Sequence, residues 1–226
     1  MLTISATDEW RAAHPGAMIG LLELSGAENT RLSPELNQRK REVEALLRER
    51  YKGFTRQDFL VLPVMAAYDG YYKRFNKTYH VQLQVESIVL KGRNLPEVSP
   101  LVDANFIAEV ETSVLTAGHD VDRLHEPVSI DVSREGDTIT QLNGETKAIR
   151  AGDMVMRDAD GISCTILYGQ DNRSPISPAA THVLYVTYAP VGVSAEIVKA
   201  ELQTILNYVR LFSPDVYVEQ FQLITT

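Results

Sequence analysis

The stretch that decides the fold class is Thr138-Ile139-Thr140-Gln141-Leu142-Asn143-Gly144-Glu145-Thr146-Lys147-Ala148-Ile149. An Asn-Gly pair between two β-prone runs is the strongest short hairpin signal, because both residues tolerate the positive φ of a tight turn. We therefore predict a hairpin with strands at residues 138–142 and 146–149. Alternating or short apolar runs around it predict further strands at residues 128–132, 154–156, 162–168, 183–188 and 216–223.

The part of the chain before Pro127 has a different texture, with apolar residues at helical spacing. One buried strand is predicted at residues 17–24. Helices are predicted from Ser33-Pro34 to a stop near Gly53, and at residues 57–75, 81–92 and 101–110, with Pro63 and Gly70 as possible kinks in the second. In the first helix we expect an apolar face made of Leu36, Val43, Leu46 and Leu47.

A last helix is expected after Ser194, whose hydroxyl can cap it, and Ser213-Pro214 should end it. Helices thus cluster early in the chain and strands late. This order predicts an α+β fold, a mixed β-sheet with packed helices, rather than strict βαβ alternation. We found no internal repeat and no linker, so residues 1–226 are predicted to form one domain.

Composition narrows the cellular setting. The single cysteine, Cys164, excludes an internal disulfide framework. No apolar run reaches the roughly 20 residues that span a bilayer, and the first residues lack the pattern of a signal peptide. We expect a cytoplasmic protein that does not enter membranes.

Charge is unevenly distributed. The net charge is -8, which argues against strong nonspecific nucleic-acid binding, but residues 31–93 carry 13 Lys/Arg against 7 Asp/Glu. This basic part either faces phosphates or forms the solvated faces of helices. If it binds RNA, the candidate residues are Arg39, Lys40, Arg41, Arg48, Lys73 and Arg74. Tyr71, Tyr72 and Phe75 would then stack on bases, the alternative being that they belong to the core.

Common catalytic and cofactor motifs are absent from the sequence. His119-Asp120-x-Asp122, with His125 close behind, could tune a general base or hold a metal, or could be a loop cap and a surface pair. Asp103 and Asn105 interrupt an apolar run and must find hydrogen bonds if buried. Asp103 is either a helix N-cap or part of a site. We expect no metal and no organic cofactor.

Several short motifs between residues 72 and 190 occur in the order found in the B3/B4 domain family, which includes the editing domain of the phenylalanyl-tRNA synthetase β chain. The motifs are Tyr72-Lys73-Arg74-Phe75-Asn76-Lys77, Leu90-Lys91-Gly92-Arg93-Asn94-Leu95-Pro96, Leu101-Val102-Asp103-Ala104-Asn105, Asp120-Val121-Asp122-Arg123-Leu124, Leu142-Asn143-Gly144-Glu145 and Gly169-Gln170-Asp171. The chain therefore resembles a free-standing member of this family.

The resemblance implies a function. In the synthetase this domain hydrolyses mischarged tyrosyl-tRNA, and its pocket lies between sheet and helices. By this resemblance, Ala117 would occupy the position of the family's editing histidine, and the nearest imidazole is that of His119. The acidic residue of the family's turn corresponds to Gln170 or Asp171, and Thr181 lies where the family has a threonine.

On this basis we expect a pocket in which His119 and Asp171 are the catalytic candidates. Asp103, Asn105, Gln170 and Thr181 are the substrate-binding candidates. The leading function is recognition, with hydrolysis, of the aminoacyl end of a tRNA. One alternative is a protein that binds or hydrolyses an amino-acid-like small molecule without RNA. The other is a noncatalytic module that has kept the fold.

Overall fold

The computed structural model describes residues 1–29 and 33–226, and Arg31 of the basic part lies outside the described residues. The helices are α1 (Asp8–Ala13), α2 (Pro34–Arg50), α3 (Arg56–Leu60), α4 (Pro63–Lys73), α5 (His80–Lys91), α6 (Pro100–Thr112) and α7 (Ala195–Val209). The strands are β1 (Ile4–Ala6), β2 (Met18–Ser25), β3 (Thr116–Asp120), β4 (Val128–Val132), β5 (Thr138–Thr140), β6 (Thr146–Ala148), β7 (Met154–Asp158), β8 (Gly161–Thr165), β9 (Gly169–Gln170), β10 (His182–Ala189) and β11 (Tyr217–Thr225).

Two sheets carry most of the strands. One has the order β1-β4-β7-β8-β9, and the other has the order β11-β2-β10-β3. β1 runs parallel to β4, whereas the remaining pairs are antiparallel, so the first sheet is mixed. Together with the helices this is the α+β fold that the sequence predicts.

The Asn-Gly hairpin forms as predicted. Thr138 pairs with Ala148 and Thr140 with Thr146. Gly144 has a φ of 82°, which glycine adopts without steric cost. The amide of Gln141 donates to the carbonyl of Glu145 over 2.9 Å, which closes the loop. The paired strands are each shorter than the runs predicted from the sequence.

The helix boundaries also follow local chemistry. Ser33 Oγ accepts the Leu36 amide at 3.1 Å, and Pro34 occupies the first turn. Pro63 divides the predicted helix 57–75 into α3 and α4, because it is tolerated only in a first turn. Gly70 lies within α4 without interrupting it. Gly92 ends α5 with a φ of 65°.

Three expectations about helices are wrong. Leu46 is 55% exposed, so it is not part of the apolar face of α2. Lys40 is fully buried and therefore does not lie on the solvated face. Ser99, not Asp103, is the N-cap residue of α6, since Pro100 opens this helix. For Lys40 a tertiary neighbour, Asp103, overrides the helical spacing.

The sequence patterns did not predict β1, α1, β3 or β9. β3 has the sequence Thr-Ala-Gly-His-Asp, which is poor in β-branched and aromatic residues. It is nevertheless a strand because it pairs along β10, from Thr116 opposite Thr187 to Asp120 opposite Val183. This pairing places β3 next to the helices that precede it.

The core lies between the helices and the sheets. α7 packs on β2 and β10 and against α6. The apolar stripe of α7, made of Val198, Leu202, Ile205, Leu206 and Val209, is buried. Within residues 1–29 and 33–226, the helices are all too short or too polar to traverse a bilayer.

Candidate functional site

A cavity of about 470 Å³ lies between α5 and α6 on one side and β3, β8, β9 and β10 on the other. Connecting segments complete it with Val98, Leu142, Pro175 and Ile176. Its volume is within the range of small-molecule sites, which are mostly apolar clefts with a few fixed polar groups. We take this cavity as the candidate site.

One face of α6 supplies the cavity wall. Val102, Asn105, Phe106 and Glu109 line the cavity, and they follow the spacing i, i+3, i+4, i+7 of a single helical face. His80 and Gln84 of α5 contribute in the same way at i and i+4. Polar side chains at helical spacing inside apolar helices therefore point to this site.

Polar atoms at the cavity have free hydrogen-bonding capacity. Asn105 Nδ2 donates to the Thr116 carbonyl at 2.9 Å, but Asn105 Oδ1 is buried without a partner among the described residues. Gln84 Oε1 is likewise buried and has no hydrogen-bond partner among the described residues. A buried acceptor without a donor costs about 1–3 kcal/mol, so each atom favours a ligand that donates a hydrogen bond.

Titratable groups in the cavity are uncharged near neutral pH. Burial lowers the pKa of His80 to about 4, and the nearby Lys77 charge adds to this effect. Burial raises the pKa of Glu109 well above its ordinary value, and the Glu201 carboxyl contributes. Burial likewise raises the pKa of the Cys164 thiol to about 12. The cavity therefore favours an uncharged ligand group.

The hydrogen bonds of His80 define its tautomer. Tyr72 donates its hydroxyl proton to the Ile166 carbonyl at 2.7 Å. His80 Nδ1, which lies 3.0 Å from the same hydroxyl oxygen, must then carry a proton and donate it. His80 Nε2 consequently holds a lone pair that can accept a hydrogen bond from a water or a hydroxyl group.

Directly behind the cavity, a chain of hydrogen bonds joins His119 to Asp171. Ser174 Oγ donates to Asp171 Oδ1 at 2.7 Å, and His119 Nδ1 lies 2.8 Å from Ser174 Oγ. Gln170, which lines the cavity, donates from Nε2 to the Gly118 carbonyl at 2.7 Å and to the Ser174 carbonyl at 3.0 Å. His119 is fully buried, and burial lowers its pKa to about 3.

The structure thus brings some of the predicted site residues together. Asn105 and Gln170 line the cavity, while His119 and Asp171 support it from behind and do not line it. Asp103 is buried elsewhere and accepts from Lys40 Nζ at 2.5 Å. Thr181 is exposed and does not line the cavity. Ala117 does line it.

The predicted RNA-binding side chains have internal partners. Lys40 is buried against Asp103 and cannot meet phosphates, contrary to our expectation. Arg41 pairs with Glu44 at 2.6 Å.

The other cations expected to contact RNA remain at least partly exposed. Arg39 lies 3.4 Å from Glu42, and Arg48 donates to the Arg93 carbonyl at 3.0 Å. Lys73 pairs with Asp69 at 2.6 Å.

The aromatic residues near Lys73 belong to the core. Tyr71, Tyr72 and Phe75 are buried, so the alternative of base stacking is wrong for them. Arg74 instead places its guanidinium 4.4 Å from the Tyr71 ring centre.

The acidic cluster around His119 does not assemble into a metal site. His119 faces Ser174, whereas His125 Nδ1 lies 2.6 Å from Asp160 on the surface, and Asp120 pairs with Arg123 at 3.4 Å. Across residues 1–29 and 33–226, no group of three or more His, Cys, Asp or Glu residues could hold a metal ion. Asp120 instead caps the short turn that follows it, and His125 and Asp160 form a surface pair.

Comparisons with known proteins agree with this architecture. The model of the B3/4 domain family matches residues 67–208. No curated protein matches the chain.

Among solved structures, the chain is similar to an N-terminal fragment of the phenylalanyl-tRNA synthetase β-subunit from Pyrococcus horikoshii. The identity is 9%, the TM-score is 0.48, and the match covers 93% of this chain and 49% of that one. The chain therefore spans about half the length of that fragment.

Proposed function

Because the chain belongs to the B3/4 domain family, whose model covers more than half of it, we propose that its cavity binds the aminoacyl group of an aminoacyl-tRNA. Binding there serves hydrolysis of a mischarged ester in trans. The RNA itself stays outside the cavity, since about 470 Å³ accommodates an amino acid and part of a ribose rather than a nucleotide chain. A cytoplasmic location remains part of this proposal.

The observation that carries the proposal is the pair of acceptors, Asn105 Oδ1 and Gln84 Oε1, which have no partner among the described residues and lie in a mostly apolar cavity. They would accept from donors of the bound group, such as a ribose hydroxyl or the α-amino group. The uncharged His80 and Glu109 leave the rest of the cavity suited to a neutral amino-acid side chain.

Hydrolysis needs a water placed against the ester carbonyl. The water oxygen bonds to the carbonyl carbon, the bond from that carbon to the ribose oxygen breaks, and a water proton ends on the released ribose hydroxyl. His80 Nε2 can accept from this water, but a pKa of about 4 makes it a weak base. Its contribution is therefore orientation, and the ribose hydroxyl group of the substrate itself relays the proton.

His119 and Asp171 act in this scheme as positioning residues. The hydrogen bonds that join them through Ser174 hold the loop around Ser174 in place. Gln170 donates to the Ser174 carbonyl of this loop and to the Gly118 carbonyl of β3. With Gln170 immobilised, its side-chain oxygen has a defined place at the cavity. Asp103 and Thr181 have no part in this proposal, because neither lines the cavity.

A second candidate is recognition of a free amino-acid-like molecule without RNA. The net charge of -8 favours it, because an acidic protein repels a polyanion. So does Ala117, which lines the cavity with a methyl group where the family resemblance would put the editing histidine.

The experiment is deacylation of a set of mischarged tRNAs, with thermal shift against free amino acids in parallel. We expect Asn105→Ala to lower the rate at least tenfold. Asn207→Ala, which removes an exposed amide from α7, should leave the rate unchanged. A thermal shift that is abolished by Asn105→Ala, without any deacylation, would favour the second candidate. Absence of both activities in the wild-type protein would overturn both.

A further inference from the structure

One cation lies over an aromatic ring beside the cavity, and two further cations are close to that cation. Lys77 Nζ lies 4.0 Å from the ring centre of Tyr168. Lys147 and Arg150 lie close enough to Lys77 to lower its pKa by repulsion, in addition to the effect of burial. Arg150 is anchored by a hydrogen bond to the Phe75 carbonyl. We call Lys77, Lys147, Arg150 and Tyr168 the Lys77 patch.

The Lys77 patch differs from α2 in having no carboxylate partners. Within the described part of the chain, none of its three cations forms an ion pair, whereas Arg39 and Arg41 of α2 each contact a glutamate. The Asp153 carboxyl raises the pKa of Lys77, but this effect is smaller than the effects of burial, Arg150 and Lys147. Burial raises the pKa of Asp153 itself to about 7. Like charges held together without a counterion favour an anionic partner.

The position of the patch connects it to the cavity. The Lys77 charge reaches His80, which lines the cavity, and contributes to its lowered pKa. Tyr168 directly precedes Gly169, which also lines the cavity. Gln141 Nε2 donates to the Tyr168 carbonyl at 2.7 Å, and this bond ties the hairpin that carries Lys147 to the same edge.

We propose that the Lys77 patch binds the backbone phosphates of a single-stranded RNA end whose terminal aminoacyl group lies in the cavity. This proposal rests on the proposed function and names the surface that would hold the RNA. An acidic protein with one basic area adjoining its pocket would guide a polyanion to that area. α2, the helix whose cations were expected from the sequence to meet phosphates, would then not be the RNA surface, because Arg39, Arg41 and Arg48 already contact glutamates.

Phosphate contacts predict a salt dependence. For single strands, the slope of log affinity against log salt concentration is about -0.7 per neutralised phosphate, so three contacts contribute about 2 to the slope. A variant with Lys77, Lys147 and Arg150 each changed to Gln should bind a fluorescent tRNA at least tenfold more weakly at low salt. Its slope should be shallower by about 2 than that of the wild type.

A matched control removes the same charge elsewhere. Arg50, Lys91 and Lys199 are exposed and form no ion pair among the described residues, so their triple Gln variant changes net charge equally. We expect it to bind tRNA within about twofold of the wild type, since sites outside the footprint contribute only through the overall field. Thermal unfolding of both variants confirms that each is folded.

The outcomes separate this proposal from the one it rests on. Equal loss of tRNA binding in the two triple variants, or no tRNA binding by the wild type, would overturn the Lys77 patch. So would competition by polyglutamate as effective as that by RNA of equal charge. If the wild type is stabilised by an amino acid and Asn105→Ala is not, the cavity proposal survives in its small-molecule form even when the patch fails.

Discussion

The buried polar residues on the two sides of helix α6 differ in whether their hydrogen bonds are made within the protein. Asp103 is a buried member of an ion pair with Lys40, and it also accepts the Val98 amide at 3.0 Å. Asn105 and Glu109 lie on the cavity side, where an amide oxygen has no partner among the described residues and burial raises the pKa of the carboxyl. The hydrogen-bonding groups of Asp103 are satisfied within the protein, whereas Asn105 and Glu109 can still form hydrogen bonds with a ligand.

The comparison shows why polar residues in an apolar run are ambiguous. Asp103 and Asn105 are two positions apart, both are buried, and the same sequence pattern marks them. They point to different sides of the helix, because two residues correspond to about 200° of rotation. Stability should therefore depend on Asp103, and ligand binding should depend on Asn105.

The largest effect is expected from breaking the ion pair. Among the described residues, Asp103→Ala leaves the buried ammonium of Lys40 with only the Pro96 carbonyl, 2.8 Å away, as acceptor. Removing one partner of a buried pair costs about 3–5 kcal/mol of unfolding free energy, which urea denaturation can measure.

The double variant Lys40→Met with Asp103→Leu is the control, because it removes both charges and retains apolar volume. It should recover much of the loss. A single-variant cost below about 1 kcal/mol, the value of an exposed pair, would contradict this account.

The next largest effect is expected on the pH dependence of stability, through Glu201, a buried carboxyl that influences Glu109. Glu201 accepts from Thr112 Oγ1 at 2.6 Å and from Thr116 Oγ1 at 3.1 Å, and it raises the pKa of Glu109. Burial raises the pKa of Glu201 from 4.5 to about 8. Between these values the folded protein holds a proton that the unfolded chain has released.

Stability from Glu201 is therefore fully present below pH 4.5 and is lost as the pH rises to about 8. Unfolding free energy should fall across this window by about 1.4 kcal/mol per pH unit at most. Glu201→Gln should flatten the profile, whereas Glu196→Gln, on the exposed side of α7, should not. An unchanged slope in Glu201→Gln would contradict the assignment.

The smallest effect on stability is expected from Asn105→Ala. The substitution removes one neutral hydrogen bond, to the Thr116 carbonyl, and an oxygen that had no partner to lose. The expected cost is about 1 kcal/mol in urea denaturation, well below that of Asp103→Ala. A cost equal to that of Asp103→Ala would instead assign Asn105 to the structural set.

The sequence was most informative where one local rule suffices. The Asn143-Gly144 turn and the Ser33 cap depend on the conformations of a few consecutive residues, and both form as predicted. Pro63 was predicted as a possible kink, and the helix is divided there. β3 was missed because its strand character comes from pairing with β10. The cavity residue Glu109 was missed as well, although its spacing of four from Asn105 is visible in the sequence.

By itself, the sequence determined the α+β class, the family and those elements that have a clear local pattern, because hydrophobic period, turn residues and motif order are properties of the chain. Only the tertiary structure decided which polar residues meet. It buried Lys40 against Asp103, joined His119 to Asp171 through Ser174, and opened a cavity beside Asn105 and Gln170. Contacts between residues far apart in sequence depend on packing, which local pattern does not encode.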